Sequence, residues 1–208
     1  MPREALLLID IQKDFLPGYE PGQGSSLAVP HGNQVLDVAN QLIRQFELVW
    51  LTQDWHPSNH LSFASQHSGR QVGDCIDLDG LQQVLWPDHC VQGSLGAEFC
   101  ELLALPETAK IVQKGTRRRV DSYSGFFDNA RKNKTELDSQ LRAAGVEKLV
   151  IAGLATDYCV CFTALDAIDL GYETHLAVDG CRGVDMKQGD CDRAIEKMLA
   201  AGVKLYGK

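Results

Sequence analysis

The chain has 208 residues with 20 Lys and Arg against 28 Asp and Glu, a formal charge of −8, and its length is read as a single domain over residues 1–208. The acidic balance excludes the broad basic face of a nucleic-acid binder, and 44% hydrophobic with 23% charged residues excludes a disordered chain. Its longest apolar run, residues 5–9, is far short of the roughly 20 residues that span a bilayer, and residues 1–4 carry no secretory signal pattern, so a cytoplasmic location is expected.

In chain order, residues 5–11 form a short apolar run around Asp10, the pattern of a strand buried on both faces. Residues 35–46 place Val35, Leu36, Val38, Ala39, Leu42, Ile43 and Phe46 at helical spacing. Residues 48–52 read as a second strand running into Gln53-Asp54-Trp55-His56. Residues 56–105 break the rhythm. They are rich in Pro, Gly, Ser, Asp, His and Gln, and so long a loop inside one domain is usually functional or disordered. The histidines gathered there, among them His56, His60, His67 and His89, favour function. Residues 109–113 form a weaker third strand, followed by Lys114-Gly115 and by Arg117, Arg118 and Arg119, read as an exposed turn. A helix over 137–144 closes at Gly145, a strand covers 148–152, and a helix over 157–170 ends at Gly171. A strand over 174–178, a helix over 190–201 ending at Gly202, and a sixth strand over 203–206 complete the chain. Strands alternating with helices predict an α/β fold around a parallel sheet.

In such sheets ligands bind beyond the carboxyl ends of the strands. Those ends carry Asp10, then Asp54 and His56, then Lys114, then the run from Gly153 to Cys159. With Thr156 or Asp157 as N-cap, Cys159 falls in the first turn of a helix, where the helix field and a nearby Lys114 ammonium lower a thiol pKa. Asp10 could accept the thiol proton and pass it to a leaving group, and amides of the turn could hold an oxyanion. Taken singly, Cys159 also reads as a buried structural thiol, Asp10 as a turn residue and Lys114 as a surface lysine. Their joint placement favours chemistry. The cysteine count is odd, seven without a CxxC pair, which argues against disulfides and zinc ribbons. Cys75, Cys90, Cys100, Cys161, Cys181 and Cys191 are read mostly as small buried hydrophobes. Asp54-x-His56, with His60 and His89, offers one carboxylate and several imidazoles, a donor set for zinc, iron or manganese; solvated loop histidines are the alternative. His67, set among Ser, Gln and Gly, is read as exposed.

The segments Ile9-Asp-Ile-Gln-Lys-Asp-Phe15, Gln53-Asp-Trp-His-Pro57, Trp86-Pro-Asp-His-Cys-Val91, Lys114-Gly115, Asp121-Ser-Tyr-Ser-Gly-Phe-Phe127 and Gly153-Leu-Ala-Thr-Asp-Tyr-Cys-Val160 occur in order along the chain. Together they resemble the nicotinamidase/pyrazinamidase branch of the isochorismatase-like cysteine hydrolases. The resemblance implies a three-layer α/β/α sandwich around a six-stranded, mostly parallel sheet. It implies a catalytic set of Asp10, Lys114 and Cys159, and an oxyanion hole of the Ala155 and Cys159 amides beside a cis Leu154–Ala155 peptide. Asp54, His56 and His89 match metal ligands, whereas His60 matches a residue that ligates in only some members. Phe15 and Trp86 match residues flanking the substrate ring, with Tyr123 lining the pocket. One divalent ion is implied, zinc first and iron or manganese as alternatives. The implied reaction is hydrolysis of nicotinamide to nicotinate and ammonia through a cysteine thioester, a step of NAD salvage, with pyrazinamide as a second amide. No nucleic-acid or membrane partner is implied, and the oligomeric state stays open. Beside this stand a related amide or ester hydrolase, a metal-water hydrolase and a non-catalytic binding module.

Overall fold

A computed structural model describes residues 2–20 and 22–207. In chain order the elements are β1 (Arg3–Ile9), α1 (Val35–Ile43), β2 (Val49–Asp54), β3 (Cys75–Leu78), β4 (Leu81–Val84), β5 (Lys110–Lys114), α2 (Leu137–Ala143), β6 (Val146–Leu154), α3 (Cys161–Asp169), β7 (Glu173–Arg182), α4 (Asp190–Ala200) and β8 (Lys204–Leu205). The six predicted strands form one sheet in the order β5-β2-β1-β6-β7-β8, and every pairing in it is parallel. Helices flank it, with α1 packed on β1, β6 and β7, α2 on β6 and α3 on β7. The right-handed rule for parallel crossovers places α1 on one face and α2, α3 and α4 on the other, which makes three layers. Ala5 to Ile9 of β1 are wholly buried. Cover on both faces removes any need for polar alternation, which is why that stretch reads as a continuous apolar run.

The chain lays down β1, adds β2 and β5 on one side, then crosses back to add β6, β7 and β8 on the other. The direction of growth therefore reverses between β1 and β6, and a crevice opens there beyond the strand ends. Asp10 follows β1 and Cys159 follows β6, one on each side of that crevice. Gly153 lets the two strand ends approach. It pairs with Ile9 at a φ of 127°, and a Cβ there would overlap the Ile9 carbonyl oxygen.

Several local expectations are corrected. The 56–105 excursion contains the β3–β4 hairpin, whose Asp79-Gly80 turn has φ values of 55° and 86°. Asp-Gly is a strong signal for such a turn, but the half-polar strands around it mask the pattern. Helix α3 starts at Cys161 after a π-helical turn over Thr156–Val160, and the capping position is Ala155, not Thr156 or Asp157. The Asp157 carboxylate instead accepts the amides of Val184 and Asp185 at 3.0 and 2.8 Å. Of the six cysteines read mostly as buried, Cys90, Cys100, Cys161 and Cys181 are buried, Cys191 is half-buried and Cys75 is exposed. His67 is half-buried, its Nε2 2.8 Å from the Leu61 carbonyl. The three arginines are exposed, and Arg119 pairs with Asp79 at the hairpin turn. Among the described residues no helix is long and apolar enough to cross a membrane.

Candidate active site

Lys114, the last residue of β5, reaches under the crevice with its side chain fully buried. Its Nζ lies 2.9 Å from Asp10 Oδ2, 2.5 Å from Asp54 Oδ1, 2.9 Å from the Ser122 carbonyl and 3.4 Å from Cys159 Sγ. Burial works against its charge, but Asp10, Asp54 and Cys159 hold its pKa well above the usual lysine value. The ammonium thus joins the three strand ends that sequence reading placed together. Asp10, wholly buried at a φ of 46°, has its Oδ1 bound by the Thr52 hydroxyl at 2.7 Å. Oδ2 pairs with the Lys114 ammonium at 2.9 Å and has no other partner among the described residues. It retains a lone pair to receive a proton. Burial raises the Asp10 pKa to about 6 against the pull of Lys114, with Asp54 adding to the rise.

The Cys159 sulfur and the carboxylates of Asp10 and Asp54 lie within 4.8 Å of one another. The expected lowering of the thiol pKa does not appear. Burial pushes it well above the usual value; Lys114 opposes this, but Asp10 and Asp54 add to the rise. Burial, with the two carboxylates, outweighs the ammonium and favours a thiol beside an ionised Asp10. The Leu154–Ala155 peptide is cis, as the resemblance implied.

The second cluster meets the first at Asp54. His56 Nδ1 is 2.8 Å from the Gly115 carbonyl, and His89 Nδ1 is 2.8 Å from the Pro87 carbonyl. A carbonyl can only accept, so each Nδ1 carries a proton, and in the neutral ring each Nε2 presents a lone pair. Both lone pairs face Asp54 Oδ2, His56 Nε2 at 3.5 Å and His89 Nε2 at 4.0 Å. His56 Nε2 is buried without a hydrogen-bond partner. Two imidazole nitrogens and a carboxylate oxygen aimed at one point, with an orphaned buried acceptor among them, fit a divalent cation. Burial opposes the Asp54 proton-free form, yet Lys114 and His56 hold its pKa far below the usual range. Burial, helped by the neighbouring His56, lowers His89 to about 4. Both shifts keep Asp54 and His89 in ligating form; for His56, burial is outweighed by Asp54, which raises its pKa, so a cation there would have to displace a proton from that ring. His60 stands apart. Its Nδ1 is 2.6 Å from the Ser62 hydroxyl and its Nε2 3.3 Å from the Val120 carbonyl, which engages both ring nitrogens.

Phe15, Trp86, Tyr123, Tyr158, Ala155 and Cys159 line one cavity, with Asp54 and His89 in its wall. The Trp86 indole donates to the Tyr123 hydroxyl at 3.2 Å and meets Tyr158 edge to face, with ring centroids 4.9 Å apart. Sequence reading missed Thr52, Ser122, Gln83 and Asp121. Gln83, on β4, donates to Asp121 Oδ2 at 3.2 Å and to the Tyr123 hydroxyl at 3.4 Å. Only recognition of the hairpin could have drawn attention to Gln83; Ser122 acts through its carbonyl, which no side-chain pattern reveals.

The family model described as the isochorismatase domain matches residues 4–206. The chain belongs to the isochorismatase family. Within that family it is 50% identical to the nicotinamidase of Escherichia coli over 99% of this chain and 95% of the relative. It superposes on the Acinetobacter baumanii nicotinamidase/pyrazinamidase with a TM-score of 0.92 and 40% identity, covering 99% of this chain and 96% of the other. The Pyrococcus horikoshii pyrazinamidase, whose crystal structure is a complex with zinc, matches with a TM-score of 0.79 and 39% identity over 98% of each chain.

Proposed function

We propose that this isochorismatase-family chain is a nicotinamidase, hydrolysing nicotinamide to nicotinate and ammonia with Cys159 as nucleophile. One observation carries the reading: Cys159 opens into an aromatic-walled cavity beside Asp54 and His89 of a cation-binding trio, with the buried Lys114 ammonium 3.4 Å and the buried Asp10 carboxylate within 4.8 Å of its sulfur. The nicotinamidase at 50% identity supports it. Asp54, His56 and His89 would hold a divalent cation, which would supply an electrophilic anchor for a pyridine nitrogen. Zinc is the first choice, because the zinc-bound pyrazinamidase is a close structural match. Phe15 and Trp86 hold the ring, and Tyr123 completes the wall.

As the Cys159 sulfur bonds to the amide carbon, its proton passes to Asp10 Oδ2 and the carbonyl electrons move onto oxygen. The Ala155 and Cys159 amides receive that oxyanion. Asp10 returns the proton to the nitrogen as the C–N bond breaks, and ammonia leaves a thioester. Water then attacks the thioester carbon, giving its proton to Asp10, and the sulfur is expelled to recover it. Lys114 keeps Asp10 and the sulfur in register and offsets the negative charge that moves between them. Pyrazinamide, a single six-membered ring carrying the same carboxamide, fits the same assignment.

Ammonia release from nicotinamide, assayed with the metal-loaded and the chelator-stripped protein, tests the activity. Mass spectrometry of quenched enzyme should show a nicotinoyl adduct on Cys159. No ammonia release by the loaded protein refutes the activity; turnover with no adduct, and full turnover by Cys159→Ala, refutes the nucleophile and favours a metal-bound water.

A further inference from the structure

The residues that follow β1 alternate in role. Asp10 belongs to the reacting group, while Gln12 and Asp14 point into the protein two and four positions later and touch neither the thiol nor the cavity. Gln12 is wholly buried. Its Oε1 accepts the Asp54 amide at 2.8 Å, and its Nε2 donates to the Asp54 carbonyl at 2.8 Å and to the Ala97 carbonyl at 2.8 Å. One side-chain amide thus grips both main-chain groups of Asp54. Asp14 is buried and, among the described residues, has no cationic partner. Its Oδ2 accepts the Cys90 amide at 2.7 Å and its Oδ1 the Ser26 amide at 3.3 Å. Cys90 directly follows His89, sits at a φ of 46°, and its carbonyl accepts the His56 amide at 2.9 Å. A left-handed backbone at a non-glycine residue needs outside support, and Asp14 supplies it at Cys90, which is peptide-bonded to His89 and hydrogen-bonded to the His56 amide. The Asp14 carboxylate packs against Gly96, where a Cβ would overlap it. The pocket for the acid is therefore built into the loop before β5.

We propose that Gln12 and Asp14 are positioning residues of the metal centre, holding Asp54, His56 and His89 in ligating geometry through their main chains. The inference rests on the metal assignment above. Groups one bond-network removed from a metal set its affinity by orienting the ligands, with losses of about 10- to 100-fold on mutation.

The test compares zinc affinity of the stripped full-length protein, by chelator competition, and the visible spectrum of its cobalt(II) form. Asp14→Leu and Gln12→Leu are expected to weaken zinc binding about 10- to 100-fold and to change the cobalt spectrum. Asp14→Asn keeps a carbonyl oxygen for the Cys90 amide and should stay within about threefold of the parent. Leu141→Ala, a wholly buried core residue of α2 far from the ligands in sequence, controls for general loss of stability and should leave the affinity unchanged. If the leucine variants do not fold, Gln12→Glu serves. It keeps the acceptor for the Asp54 amide, loses both donors, and should weaken zinc in the same direction. Zinc affinity and cobalt spectrum unchanged in these variants overturn the positioning role alone. A parent protein that binds no zinc overturns the metal assignment and this inference with it.

Discussion

Thr52→Val isolates the control of Asp10. Thr52 is wholly buried in β2, its hydroxyl donating to Asp10 Oδ1 at 2.7 Å and accepting from the Asp10 amide at 3.2 Å. Valine preserves the side-chain shape and removes the donor. A hydrogen bond to a charged group contributes about 1.5–3 kcal/mol, and one pKa unit corresponds to about 1.4 kcal/mol. Losing it disfavours the ionised carboxylate, so the pKa rises from about 6 by roughly one to two units. The reactive form carries one proton on the Asp10–Cys159 pair, and a second proton, entering on Asp10, removes the base. Activity is lost as pH falls through that value, and the apparent pKa belongs to the pair. The acid limb of kcat/KM for ammonia release should move from near 6 to roughly 7–8. At pH 6 activity drops from about half of its plateau to roughly a tenth or less, while the plateau itself is kept. The full pH–rate profile decides. An acid limb that stays in place, in a variant with a parent-like melting curve, would show that Asp10 is not the group that titrates.

Other outcomes follow from the same geometry. Cys159→Ala should release no ammonia yet bind a full equivalent of zinc, measured by metal analysis, because the thiol is not part of the Asp54–His56–His89 trio. His60→Ala should keep its zinc, both of its nitrogens being engaged elsewhere, whereas His89→Ala should lose at least about tenfold in affinity by chelator competition. Gly153→Ala forces a Cβ into the Ile9 carbonyl at a φ of 127°; a cost of about 3 kcal/mol would lower the melting temperature by roughly 6–12 °C. Trp86→Phe keeps an aromatic wall but loses the bond to the Tyr123 hydroxyl, so KM for nicotinamide should rise while kcat changes little.

The fold was largely readable because both-face burial and crossover helices leave strong periodic signals. The six sheet strands sit where apolar runs placed them, and each predicted helix is present, shortened at its ends. The site was readable in part because its groups lie at strand ends, where a parallel sheet collects them. What escaped was information that resides in pairing. Nothing local in Thr52 says that its hydroxyl faces Asp10, since strand order is needed to bring β2 beside β1. The misplaced cap at Asp157 has the same origin. An acid before a helix is ordinarily a cap, but here amides from the 184–185 loop compete for its carboxylate and win. The cysteine pKa failed for a reason of magnitude. A helix terminus and one ammonium favour the thiolate, but burial beside two carboxylates outweighs both.

That last balance bears on how the site works. With the thiol pKa high and that of Asp10 near 6, the resting pair stores its proton on sulfur, where it protects the nucleophile from oxidation. Attack then requires the proton to move only as the S–C bond forms. Lys114 is shared among Asp10, Asp54 and Cys159, so it favours either location of the negative charge and lowers the cost of the transfer. A cation held by Asp54, His56 and His89 would draw the Asp54 charge away from the sulfur and leave more of the ammonium's field to the reacting pair. Metal loading should therefore affect more than substrate affinity. The pH at which a small alkylating agent labels Cys159 should fall when zinc is added to the stripped protein in the absence of substrate. An unchanged labelling profile would confine the metal to binding the ring.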